Sequence, residues 1–133
     1  MSLERGGIFA HLAAQAAFVA IVADRVYPRR LPQEAALPAV VYRRIGPTVR
    51  ELSQSGSDGL ADARFQFDVW ATDPDEADAI ASELVAAFHG YRGQMGDTVV
   101  GASRVANDID DDEPATGLYR RIIDVLIQHQ EAA

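Results

Sequence analysis

Cysteine and lysine are both absent from this 133-residue chain. Without cysteine there is no disulfide, no thiolate nucleophile and no zinc–sulfur centre. Without lysine there is no Schiff-base amine and no phosphate-loop ammonium, and all twelve basic residues are arginine. Positive charge is scarce overall: twenty acidic against twelve basic residues give a net charge of −8. That balance opposes tight binding to DNA or to an anionic membrane, which carry the same sign. No apolar run approaches the roughly 20 residues of a membrane-spanning helix. Arg5 followed by Ile8 to Ala23, with Ala14-Gln15-Ala16 as a small-residue site, has the outline of a secretory leader. His11 and Gln15 interrupt that stretch, and its apolar residues fall at helical spacing, which favours a helix of the fold instead. No Gly-x-Ser-x-Gly nucleophile elbow occurs anywhere.

What is present is a globular composition, 48% apolar, at a length that suits one domain over residues 1–133. Folding a chain of this size buries roughly two thirds of its surface, enough for a core without staples. Ile8, Phe9, Leu12, Ala16 and Val19 recur at spacings of three and four and predict a helix over residues 4–22, with a drift near Gln15 that admits a break. Pro28, Pro32 and Pro38 punctuate a connection. Ala39 to Ile45 reads as a strand. Residues 46–60, containing Leu52-Ser-Gln-Ser-Gly-Ser-Asp-Gly59, read as a flexible loop. Arg64 to Ala71 alternates, with Phe65, Phe67, Val69 and Ala71 on one face and Arg64, Gln66, Asp68 and Trp70 on the other. Asp73 caps a second helix, Pro74 suits its first position, Glu76 stands three residues after the cap, and Gly90 ends it. Its apolar face is Ala77, Ile80, Ala81, Leu84 and Phe88. A strand over Thr98 to Ala106, an acidic turn at 107–117 and a strand over Leu118 to Gln128 complete the chain. The order α-β-β-α-β-β predicts an α+β fold: a two-layer sandwich of a mainly antiparallel four-stranded sheet with both helices on one face.

The acidic turn, Asn107-Asp-Ile-Asp-Asp-Asp-Glu113, is the segment that most resembles chemistry. Asp108, Asp110 and Asp112 reproduce the first three ligand positions of a calcium hand loop, but the sixth position is Glu113 instead of Gly and the twelfth is Tyr119 instead of Glu. Pro114 and Gly117 mark an exposed turn, so the carboxylates of Asp108, Asp110, Asp111 and Asp112 lack the burial that would raise a pKa for acid–base work. A solvated turn fits better. His11, His89 and His129 are far apart, with no partner one helical turn away for a metal. These residues predict no catalytic group, no cofactor and no metal. The pairs Arg43-Arg44 and Arg120-Arg121 lie on strands, where neighbours point to opposite faces, so no basic stripe forms. Their bland reading is salt bridging to the many carboxylates; the alternative is bidentate pairing across a subunit interface. Trp70 sits on the polar face of its strand, either covered by loops or acting as a contact anchor. Ile122 and Leu126 share a side with Arg120 and Asp124, so the last strand has apolar residues on both faces, which hints that the second face meets something.

Several segments together resemble a known family: Asp24-Arg-Val-Tyr-Pro28, Leu37-Pro-Ala-Val-Val-Tyr42, Ala63-Arg-Phe-Gln-Phe-Asp-Val-Trp-Ala71 before a capped helix, and Gly117-Leu-Tyr-Arg-Arg-Ile-Ile-Asp124 after an acidic turn. In order and spacing they resemble the small tail completion proteins (tail terminator, or head–tail joining proteins) of long-tailed double-stranded DNA phages and prophages. The resemblance covers residues 5 to 129. It implies a structural virion protein without catalysis. Such a protein forms a ring, commonly a hexamer, at the head-proximal end of the tail, after synthesis in the bacterial cytoplasm. Its partners are the tail tube protein and head connector proteins, with DNA passing through unbound and no membrane involved. On that reading the loop at 46–60, with Ser53, Ser55 and Asp58, and the acidic turn face the lumen or a docking partner, while Trp70, Arg120, Asp124, Arg43 and Arg44 stand at subunit contacts. Rival readings are another neck, connector or minor tail protein, a cellular ferredoxin-like interaction module, and an enzyme using the carboxylate turn.

Overall fold

Strict alternation along one long strand decides the layering. The computed structural model describes residues 3–53 and 56–130, with side chains apart from those of residues 4, 5 and 50–59. Its strands are β1 (Val26–Pro28), β2 (Ala39–Arg44), β3 (Val49–Ser53), β4 (Gly56–Ala71), β5 (Gly93–Met95), β6 (Thr98–Asp110) and β7 (Tyr119–Gln130). The helices are α1 (Ile8–Ala13), α2 (Ala16–Val22) and α3 (Pro74–Phe88), preceded by a π-helical turn over Leu3–Gly7. Along β4, Phe65, Phe67, Val69 and Ala71 are buried, while Arg64 is exposed and Gln66 and Trp70 are half-buried. A period of two with one face buried demands a cover on that face. The helices supply it: Ile8, Leu12, Phe18 and Val22 from α1 and α2, and Ala77, Ile80, Leu84 and Phe88 from α3, join Phe65, Phe67, Ile123 and Ile127 in one core. Phe67 and Phe88 lie with ring centroids 4.9 Å apart at the centre of it.

The sheet corrects the expected four-stranded, mainly antiparallel sandwich with order α-β-β-α-β-β. Among the described residues it has seven strands in the order β1-β2-β4-β7-β6-β5, with β3 pairing β4 alongside this path, and β1 runs parallel to β2. The expected single first helix is two, α1 and α2, separated at Ala14 and Gln15, and Gln15 takes an extended backbone before α2. Two of the added strands, β1 and β5, are three residues long, too short to show a period. The third, β3, lies in the Ser- and Gly-rich segment that predicted an irregular loop. There residues 49–53 pair antiparallel with residues 56–62. Pairing across a shared register overrides weak local propensity.

The segment 107–110 likewise continues β6 against β7, with Asn107 opposite Asp124 and Asp110 opposite Arg121. The chain reverses only after it, through Asp111–Leu118, where Glu113 and Leu118 form an isolated bridge. α3 begins as its sequence predicts: Asp73 Oδ1 accepts from the Asp75 backbone N–H at 3.1 Å and Pro74 occupies the first turn. It ends with Gly90 at φ +78°, a conformation open to glycine without penalty. There Gly90 N donates to Ser103 O at 2.8 Å and Val105 N donates to His89 Nδ1 at 3.1 Å. These two bonds tie the helix end to the outer edge of β6 and blunt that edge against stray pairing.

Candidate functional site

With helices on one side only, the sheet keeps a second, helix-free face, and of the residues singled out in the sequence it carries Trp70, Arg120, Asp124 and Arg43. Register places Trp70 opposite Arg120, Asp68 opposite Ile122, Gln66 opposite Asp124 and Arg64 opposite Leu126. Arg120 is the hub. Its Nη2 donates to Asp68 Oδ2 at 3.0 Å, its Nη1 donates to Asp111 Oδ2 at 2.9 Å, and its guanidinium carbon stands 5.0 Å from the Trp70 ring centroid. A planar, permanently charged fork meets two carboxylates and an aromatic face at once, which a lysine could not do. Asp68, only 6% exposed, is also reached by Gln66 Nε2 at 2.9 Å. Asp124, equally buried, accepts from Arg64 Nη2 at 2.8 Å. Its Oδ1 and the Arg120 Nε are buried without a hydrogen-bond partner. Trp70 and Asp68 line a cleft of about 370 Å³ together with Arg29, Arg30 and Leu31 and with Glu113, Thr116 and Leu118.

Arg121 points the other way, as adjacent strand residues must. Its Nη1 reaches Asp78 on α3 at 2.6 Å and its Nη2 reaches Asp108 on β6 at 2.5 Å. Asp110 Oδ1 lies 3.0 Å from Nε, a charge contact without hydrogen-bond alignment. Burial works to lower the Arg121 pKa, but the hydrogen bond and charge of Asp108, with Asp78 and Asp110, hold it above its ordinary value. Arg120 and Arg121 therefore grip the acidic segment from opposite faces of β7. Asp108, Asp110 and Asp111 pair with arginines of their own chain, and Asp112 Oδ1 accepts from the Arg120 backbone N–H at 3.4 Å. Among the described residues, no group of three or more His, Asp or Glu side chains is arranged to hold a metal ion.

Of the other predicted residues, Arg43 is on the helix-free face opposite Gln66 and exposed, while Arg44 points to the helix side and donates to Thr48 Oγ1 at 3.3 Å. Ser53 and Asp58 belong to the β3–β4 hairpin, where only the backbone is described, and Ser55 lies outside the described residues. Sequence reasoning missed Asp68 and Arg64 as members of the polar network. Their signal was alternation with Phe65 and Phe67 on β4, which fixes their face but not their cross-strand partners.

His11 is a buried polar residue on the helix side. Its Nε2 lies 2.7 Å from Ala87 O, which can only accept, so the proton sits on Nε2. Its ring packs 4.2 Å from Tyr91 and 5.1 Å from Phe88, centroid to centroid. Burial pulls its pKa below 6.5, against the raising effect of the Ala87 hydrogen bond.

Comparisons with known proteins follow the same architecture. One chain of a solved virion of a native gene transfer agent particle superposes with a TM-score of 0.77 at 17% identity, covering 98% of this chain and 96% of that one. A second solved structure superposes with a TM-score of 0.57 at 15% identity, covering 89% of this chain and 94% of its own. At such identities the likeness establishes a shared fold. No curated protein matches the sequence. A family model described as Tail completion protein gp17 matches residues 6–130. The chain belongs to the tail completion protein gp17 family and is a structural protein of phage tails.

Proposed function

We propose that this protein closes the head-proximal end of a phage tail: it assembles as a ring, with six copies as the working number, on the last layer of tail tube, stops tube growth and presents a docking surface to the head connector. The family match over residues 6–130 carries this reading. The fold shared with a chain of a gene transfer agent virion supports it, since that chain also belongs to an assembled particle. DNA passes through the ring without specific binding, in keeping with a chain charge of −8 that repels the phosphate backbone. The role is architectural and without catalysis. Before assembly the protein resides in the bacterial host cytoplasm. The β3–β4 hairpin and the acidic segment 107–117 face the lumen or a docking partner, and the helix-free sheet face with Trp70, Arg120, Asp124 and Arg43 takes part in subunit contacts.

Deleting the gene from its phage or prophage tests the reading. The expected lysate holds DNA-filled heads and separate tails of uneven, excess length, and supplying the protein in trans restores joined particles. Joined particles of normal length made without the protein would overturn it.

A further inference from the structure

The two outer surfaces of this two-layer molecule are both unfinished, and they match each other. On the helix side, residues 6–23 contain no charged residue. Phe9 is 38% exposed, Ala13, Ala16, Ala17 and Ala20 are exposed beside it, and an apolar groove of about 380 Å³ runs between α1, α2 and β1, lined mostly by Phe9, Phe18, Val19 and Val26. On the helix-free side, register and alternation put Val49, Val99 and Ile109 on one face; they are 57%, 40% and 45% exposed. Half-buried Ile122 and Leu126 share that face. Apart from Phe9, these three strand residues are the large exposed hydrophobics among the described residues. A sheet with apolar residues on both faces and helices on one is a three-layer sandwich lacking a layer.

We infer that the missing layer is the helix side of a second copy: α1 and α2 of one protomer cover the helix-free sheet face of the next. This rests on the ring reading above. Charge selects the occupant. Copies carrying −8 each repel through most of their surface. The uncharged α1–α2 surface avoids that repulsion. On the sheet face Arg64 with Asp124 and Arg120 with Asp68 are already paired within the protomer, which lowers the cost of covering them, while Arg43 on the same face stays exposed. The contact is heterologous, front of one copy to back of the next, and such contacts propagate around a closed ring when the rotation per copy closes.

The absence of native cysteine allows a direct test. Phe9→Cys and Ile109→Cys proteins, both altered at exposed positions, are made separately, bound to tail tubes from the same gene cluster alone or as a one-to-one mixture, and oxidised; electrophoresis then reads cross-linked species. Disulfides form only where Cα atoms come within about 7 Å, so a short dithiol-reactive spacer is run in parallel. Cross-linked dimers in the mixture but in neither protein alone are the expected result. An independent variant, Ala17→Glu, places a charge in the helix surface. It should leave the melting temperature of the free protein unchanged and reduce tube-bound protein at least tenfold. Phe9→Cys protein cross-linking to itself would overturn the inference in favour of a helix-to-helix contact. Tube-bound rings, seen by microscopy, that cross-link in no combination would overturn the interface and leave the ring reading standing. No bound protein for the wild-type chain would overturn the ring reading and the interface together.

Discussion

Arg120 and Arg121 are neighbours in sequence and do separate work because a strand sends them to opposite faces. Arg121, its side chain 18% exposed, contacts Asp78, Asp108 and Asp110 and offsets part of their charge. Arg121→Ala leaves three carboxylates facing one another, and we expect a loss of about 1–2 kcal/mol, much of it repulsion. At about 4 °C per kcal/mol for a domain of this size, the melting temperature should fall by roughly 4–8 °C. Arg121→Lys keeps the charge but not the fork and should lose less. Equal losses in both variants would show that charge, and not geometry, is irrelevant or secondary there. His11 makes a prediction in pH. Its folded pKa is lowered by burial while the unfolded chain titrates near 6.5. Below that value the unfolded state binds more protons, so the stability from His11 is full above about pH 6.5 and declines as pH falls toward the folded pKa. His11→Gln retains a donor for Ala87 O without a titrating ring. Its melting temperature should vary less between pH 7.5 and 5 than that of the wild type; parallel curves would rule out His11 as the source.

Elements differ in how openly the sequence declares them. α3 was legible because cap, first-turn proline, apolar stripe and terminal glycine all agree, and Ala77, Ile80, Ala81, Leu84 and Phe88 are buried as their spacing requires. Asp73→Ala removes the cap bond to Asp75 N–H and should cost about 1 kcal/mol, or about 4 °C by thermal melting. An unchanged melting curve would mean Pro74 and the acidic first turn suffice. β4 and β7 were legible from alternation and β-branched runs. The start of β4, Gly56-Ser-Asp-Gly59, and the end of β6 were not, because Ser, Gly, Asn and Asp have low strand propensity and only pairing holds them extended; β3, Val49-Arg-Glu-Leu-Ser53, went unread with the partner it pairs to. The same logic limits what could be read of the polar face. Alternation gives the face of Trp70, but the meeting of Arg120 with Asp68 and Trp70 depends on a register between residues far apart in sequence. Phe67, wholly buried against Phe88, shows the opposite case: Phe67→Ala should cost about 3–5 kcal/mol and abolish a cooperative transition near physiological temperature.

As a whole, the protein is an acidic two-layer domain with an uncharged α1–α2 surface on one side and, on the other, a sheet face where exposed hydrophobics sit among arginine–carboxylate pairs. Such a body suits assembly with other proteins of the particle. Its weak signature in single residues reflects that role, because assembly depends on broad surfaces and not on a few reactive groups. The most direct measurement mixes purified protein with growing tail tubes from its own gene cluster and reads them by negative-stain microscopy. The tail-completion reading predicts tubes of limited length, each with a ring at one end. Tubes that lengthen without limit and carry no bound protein would contradict it.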